Sequence, residues 1–325
     1  MRVRFSQDVL EREDDTAWRA LARIIDAFVE GRHVWEIDDP DAIEASRWIA
    51  GDAGSREARR TLEIMRKSYT EALYASPNRR AHTLVIVVGA DLAPDEARRC
   101  LEAPAYVVVE NRESDGAFLK AMVRAFGRSE LETAIARGWV DVVHAGGFGE
   151  LEKRVNELIG NVPGPCRIFV LCDSDRMHPG HNDTEAIKAL HACCAHHGVP
   201  GHVLHKRSIE SYLPKGSLKH QGKRDVFEAF FDALNDAQRD HYNMKEGFKR
   251  PKTREGDVSV PPEHKGLFDG LAQDVLRKLC GGFGDHAWRL FLTTRSEITA
   301  AAVEERCATN PGEISRLLDI IEALV

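Results

Sequence analysis

Two hydrophobic rhythms alternate along the chain. In "DDTAWRALARIIDAFVEG", residues 14–31, Trp18, Leu21, Ile25 and Phe28 recur at helical spacing. Asp14 or Asp15 is placed to cap that helix and Gly31 to stop it. "PDAIEASRWIA" and "SREARRTLEIMRKSYTEALYA" repeat the pattern, and "APDEARRCLEA" adds a short helix. Before that last helix, "HTLVIVVGAD" is an apolar, β-branched run ended by Gly89, which predicts one buried strand. Residues 1–103 read as a mostly helical region with one strand.

From residue 104 the rhythm changes. Apolar runs "AYVVVE", "VDVVHAGG", "CRIFVLCD" and "GHVLH" alternate with helical stretches "SDGAFLKAMVRAFG", "FGELEKRVNELIG" and "DTEAIKALHACCAHHG". Strands separated by helices of ten or more residues imply crossovers, hence a parallel sheet with both faces covered. The class is α/β, a Rossmann-like parallel sheet flanked by helices, over residues 104–214. After Pro214 the strand pattern stops. "KRDVFEAFFDALNDAQRDHY" reads as one amphipathic helix, and "KEGFKRPKTREGDVSVPPEHKG" as a polar loop punctuated by Pro and Gly. The remainder is helical, so residues 215–325 form a mostly helical C-terminal region with a basic loop.

Composition changes this picture little. The 325 residues are 43% apolar, enough for a large core and for two or three domains. A net charge of −7 does not advertise a nucleic-acid binder, although a local basic surface can hide in an acidic total. Seven cysteines without a CxxC pair, and an opening segment without an apolar signal core, point to a reduced cytoplasmic protein. No apolar run approaches the roughly 20 residues of a membrane helix, so no membrane association is expected.

The chemistry is carried by acids at strand ends. In an open parallel sheet, ligands bind beyond the carboxyl ends of the strands. Glu110 closes the first strand of the alternating block, Asp173 and Asp175 close the third in "RIFVLCDSDRM", and Glu210 follows the last in "HKRSIESYLP". Singly, each reads equally well as a turn or cap residue. Together they suit Mg²⁺ or Mn²⁺, and two such ions can clamp the attacking and leaving oxygens of a phosphodiester.

These segments resemble a known family. "VVVENRESDGAFLKAM", "VVHAGGFGEL" and "IFVLCDSDRM" look like the Toprim domain of topoisomerases, primases and overcoming-lysogenization-defect (OLD) nucleases. "KRSIESYL" is similar to a segment of OLD-like nucleases whose Glu joins the metal site. The resemblance implies a metal-dependent endonuclease with Glu110, Asp173, Asp175 and Glu210 as metal ligands and catalytic residues. Asp115 stands one residue later than the family's second acid, where it either reaches a metal or caps the next helix with Ser114. Gly146 and Gly147 match a family glycine pair, and serve equally well as a plain strand-to-helix turn. The resemblance also implies a nuclease effector of antiviral defence that works with a separately encoded ATPase, since this chain lacks a GxxxxGK loop followed by Ser or Thr. The flanking helical regions would dock that partner or form a homodimer.

A DNA or RNA substrate needs cations along its backbone. Lys245, Lys249, Arg250, Lys252 and Arg254 supply them in the polar loop, with Tyr242 and Phe248 interleaved for base stacking. Lys206, Arg207 and Lys245 are the candidates for stabilising the pentavalent phosphate. Arg207 is also placed to pair with Asp173 or Glu210 instead. His178 and His181 stand where leaving-group protonation is conceivable, although a plain loop role fits them too. No zinc is expected from "HACCAHHG", because adjacent Cys-Cys and His-His point to different helix faces. Cys193 and Cys194 read instead as small buried hydrophobes.

Overall fold

The computed structural model describes residues 1–51, 55–74, 84–248 and 257–325. Its α/β architecture contains two parallel sheets flanked by helices. The first corrects the reading of the N-terminal region. Three strands, β1 (Arg2–Phe5), β2 (Val34–Trp35) and β3 (Val85–Val88), form a sheet in the order β2-β1-β3. Only β3 had a legible signal. β1 alternates Arg with Val and Phe over four residues, and β2 has just two, both too short for a periodic pattern to register. Glu36 holds the edge by ion pairs to Arg2 and to Arg4, the latter at 2.9 Å.

The second sheet follows the expected alternation. Strands β4 (Ala105–Val109), β5 (Val140–His144), β6 (Ile168–Cys172) and β7 (Gly201–Val203) run parallel in the order β5-β4-β6-β7. Val107 sits opposite Val142 in β5 and Phe169 in β6. Successive side chains of a strand point to opposite faces, and both faces are buried here. Val107, Val109, Phe169 and Leu171 face one apolar cluster, while Val108, Ile168, Val170 and Cys172 face another. The second is covered by Leu151, Val155 and Leu158 of one helix and by Leu190, Cys193 and Cys194 of the next.

The first cluster runs on from the sheet through the helix Ser114–Ala125 into the C-terminal helices, as far as Leu317, Leu318 and Ile321. Phe118 is at its centre, fully buried, with its ring 5.5 Å from that of Tyr212 and 5.4 Å from that of Phe291. The long helix expected over 223–242 is broken. Arg224–Ala233 ends at Leu234, and Asp236–His241 begins afresh because Asn235 and Gln238 form a reciprocal capping box. Among the described residues no helix is long and apolar enough to cross a membrane.

Because Phe118 joins the sheet to Tyr212 and to the C-terminal Phe291, Phe118→Ala is expected to cost about 3–5 kcal/mol of unfolding free energy. Urea denaturation followed by circular dichroism measures it. A loss below about 1 kcal/mol would contradict a core shared by these elements.

Candidate functional site

Each acidic residue reaches the rim by its own local device. Glu110 follows β4, and its carbonyl is held by the His144 ring of β5, Nδ1 to O 2.9 Å. The turn after it is governed by Asn111, whose side-chain oxygen accepts the N–H groups of Glu113 at 2.9 Å and Ser114 at 3.4 Å. Asp115, buried one turn on, accepts the Asn111 N–H at 2.9 Å and the Ser114 hydroxyl at 2.9 Å. Asp115 therefore ties the turn to the first turn of its helix and does not cap it: the helix Ser114–Ala125 has no side-chain cap. It also lies close enough to Glu210, Asp173 and Glu110 to perturb or be perturbed by their charges.

The stretch Asp173-Ser174-Asp175 is stitched to residues 206–209. Asp173 Oδ1 accepts the Ile209 N–H at 3.0 Å, Ser174 Oγ donates to the Lys206 carbonyl at 2.8 Å, and the Asp175 N–H donates to the Arg207 carbonyl at 3.0 Å. Asp175 adopts φ +51°, a left-handed conformation that Asp tolerates better than most side chains. These three bonds bring the two family-like segments together, and place Glu210, in the 3₁₀ turn Ile209–Tyr212, beside Asp173.

The electrostatics are those of crowded like charge. Burial pushes the Glu110 carboxyl up to about 7, with Asp115 and Asp175 adding to the shift. Burial likewise raises Asp173 well above the carboxylate range, with Glu210, Asp115 and Glu110 contributing. Asp115 is raised by burial and by Glu210. Glu210 is fully buried, and among the described residues neither of its carboxylate oxygens has a hydrogen bond; Oε1 of Glu110 is also buried without one. Among the described residues the cation paired with Glu210 is Lys245, with Nζ 3.4 Å from its Oε1, an ion-pair contact longer than a good hydrogen bond. Buried carboxylate oxygens without a hydrogen bond are, in donor chemistry, the type that a hard divalent cation such as Mg²⁺ or Mn²⁺ takes. As they stand, no group of three or more His, Cys, Asp or Glu among the described residues converges tightly enough to hold an ion.

Of the three candidate cations, only two lie near the acids. Lys206 is fully buried and pairs with Asp240, with its ammonium 5.5 Å from the Tyr212 ring centre. Its place in a phosphate site is therefore corrected to a structural ion pair. Arg207 is half-buried; burial lowers its pKa, and the carboxylates of Asp175, Glu246 and Asp173 oppose that shift. Lys245 is 43% exposed, and its pKa is raised because the pull of Glu210, Asp173 and Asp115 outweighs burial. Lys249, Arg250, Lys252 and Arg254 lie outside the described residues. Tyr242 and Phe248 are core residues, 0% and 3% exposed, so their assignment to base stacking is withdrawn. His178 is buried against His181, rings 5.2 Å apart, and its charged neighbours are Lys265 and His181, not the acids.

Two supporting carboxylates left no trace in the motif reading. Glu313, 1% exposed, accepts from His202 Nε2 at 2.8 Å, the His205 N–H at 2.7 Å and the Tyr212 hydroxyl at 2.7 Å. Asp240 takes the Lys206 ammonium and the Thr309 hydroxyl, and its carbonyl accepts the Arg207 N–H at 2.9 Å. Both clamp residues 202–212 from positions distant in sequence. Their only local signal is a charged residue beside an apolar helical stripe, which solvated faces also produce.

No family model, curated protein or solved structure matches this chain.

Glu110, Asp115 and Asp173 all bind protons more tightly folded than unfolded. Their stabilising contribution is complete below the unfolded carboxylate range and is lost as pH rises through the folded values. For Glu110, a rise from 4.5 to about 7 corresponds to roughly 3 kcal/mol. Thermal melts in EDTA are expected to show Tm falling between pH 5 and pH 8, and Glu110→Gln to shrink that fall. An identical pH slope in wild type and variant would refute the shift.

Proposed function

We propose that the chain is a divalent-metal-dependent nuclease that hydrolyses phosphodiester bonds of DNA or RNA. The observation that supports this most strongly is Glu210, fully buried beside Asp173 with neither carboxylate oxygen hydrogen-bonded among the described residues. A single half-exposed ammonium 3.4 Å away compensates the crowded acids only in part, and a divalent cation would complete the site. Bound Mg²⁺ or Mn²⁺ supplies Lewis acidity and charge neutralisation at a phosphate. Glu110, Asp173, Asp175 and Glu210 would hold it, with Asp115 kept to its turn. Lys245 and Arg207 are the cations placed to meet phosphate oxygens. Glu110, poised near neutrality when metal-free, is suited to accept or return a proton.

The Toprim resemblance fits this reading. The parallel order β5-β4-β6-β7 puts Glu110 and Asp173 at the carboxyl ends of adjacent strands, as that family would. On the same resemblance the protein acts in the cytoplasm as an OLD-like effector of anti-phage defence. A separately encoded ATPase or a second copy of the chain would then be its partner. A second reading, a Toprim-like module that binds nucleic acid or a nucleotide–metal complex without cutting, draws on the hydrogen-bonded Asp115 and on the absence of a closed three-ligand set among the described residues.

Incubation with Mn²⁺ and labelled plasmid, single-stranded DNA and tRNA separates the two. The nuclease reading expects product that falls at least about 100-fold in Asp173→Ala, since outer-shell partners of a metal alone are worth roughly 10–100-fold. Binding retained with no product on any substrate would establish the second reading instead.

A further inference from the structure

Lys245 is the one cation that Glu110, Asp115, Asp173 and Glu210 all share as an electrostatic neighbour among the described residues. Its Nζ lies 3.4 Å from Glu210 Oε1. Arg207, by contrast, has Asp175, Glu246 and Asp173 as its acidic neighbours.

The backbone beneath Lys245 is fixed. Asn243 Oδ1 accepts the Lys245 N–H at 3.1 Å and the Glu246 N–H at 3.0 Å, and the Lys245 carbonyl accepts the Gly284 N–H at 3.0 Å. Gly247, at φ +65°, packs so tightly that an added Cβ would lie 2.1 Å from the Leu279 carbonyl oxygen. The side chain, in contrast, remains 43% exposed. A rigid base therefore carries a flexible four-carbon stem whose ammonium can leave the acids for solvent without moving the backbone.

We propose that Lys245 is a built-in counter-ion that holds the acidic cluster together and must be displaced for divalent metal to bind. This rests on the metal-dependent reading above and adds a regulatory contact within that site. The physical case is one of competition. A monovalent ammonium and a divalent cation seek the same Glu210 oxygens, and both cannot occupy contact distance without mutual repulsion. A lysine suits the role better than an arginine, because a compact point charge on a flexible stem makes no planar fork to anchor it.

The test is Mn²⁺ binding to full-length protein by calorimetry, comparing wild type with Lys245→Gln. Removing the competitor is expected to tighten Mn²⁺ roughly tenfold, the scale of one half-buried charge contact. A second readout needs no variant: amine-reactive labelling read by mass spectrometry is expected to modify Lys245 faster with Mn²⁺ than in EDTA. Equal Mn²⁺ affinity in both proteins, with unchanged Lys245 labelling, overturns the counter-ion role and leaves the metal site standing. No Mn²⁺ binding by either protein sinks the metal reading and this inference together. Weaker binding in Lys245→Gln, with its unfolding midpoint unchanged, also overturns the proposal, because it would make Lys245 a support of the metal and not its rival.

Discussion

Glu210 carries two carboxylate oxygens into the interior with no hydrogen bond among the described residues, next to Asp173 and within reach of Asp115. Like charges confined this way repel, and each has lost hydration that water would have supplied. Left alone, the segment would swing its acid outward. What prevents this is a set of bonds that ignore Glu210 itself. Glu313 grips His202, the His205 N–H and Tyr212, Asp240 grips Lys206 and the Arg207 N–H, and Arg306 donates to the Ser211 carbonyl at 3.0 Å. The backbone on both sides of Glu210 is over-determined, and the acid must stay where the chain puts it.

That restraint draws on the large apolar cluster. Glu313 begins the last helix, whose Ile314, Leu317, Leu318 and Ile321 are all buried with Phe118 and Tyr212. Burial of side chains this size stabilises by roughly 1.5–3 kcal/mol each relative to exposure. The cost of crowding acids at the rim is therefore offset at a distance, by core that has no chemistry of its own. The parallel sheet decides where the rim can be. Helices cover both faces of β4 and β6, so the carboxyl ends of those strands are where a polar group can emerge from a buried strand onto an accessible edge.

How much of this was legible depended on range along the chain. β4, β5 and β6 announced themselves because a doubly buried strand is a continuous apolar run, and the crossover helices carry their own stripes. β1 and β2 did not, being too short; β1 is held by β3, whose register couples Val3 to Ile86 across more than eighty residues, and β2 by β1. Within the site, Glu110, Asp173 and Glu210 could be read from their places after strands. The fate of Lys206, Arg207, Tyr242 and Phe248 could not. A lysine next to a motif reads the same whether it faces a phosphate or an Asp240 elsewhere in the chain. Two aromatics beside a basic run read the same whether stacked on bases or buried at 0% and 3% exposure.

The three cations first grouped as phosphate ligands show why proximity in sequence is a weak guide to role. Lys206 and Arg207 are adjacent, in the bend between β7 and the 3₁₀ turn, yet their side chains meet different acids. Lys206 goes inward to Asp240, where burial lowers its pKa and only that partner keeps an ammonium tolerable. Arg207 goes toward Asp175 and Asp173, with Glu246 on its other flank. Lys245, distant in sequence, is the one that meets Glu210, and it does so from a backbone pinned by Asn243 and Gly284. Ordered by freedom, the three run from a locked ion pair, through a half-buried guanidinium, to an exposed stem on a fixed base. Of the three, Lys245 pairs with an acid at the rim through a stem that reaches solvent, and its departure would leave the fully buried Glu210 without that counter-ion.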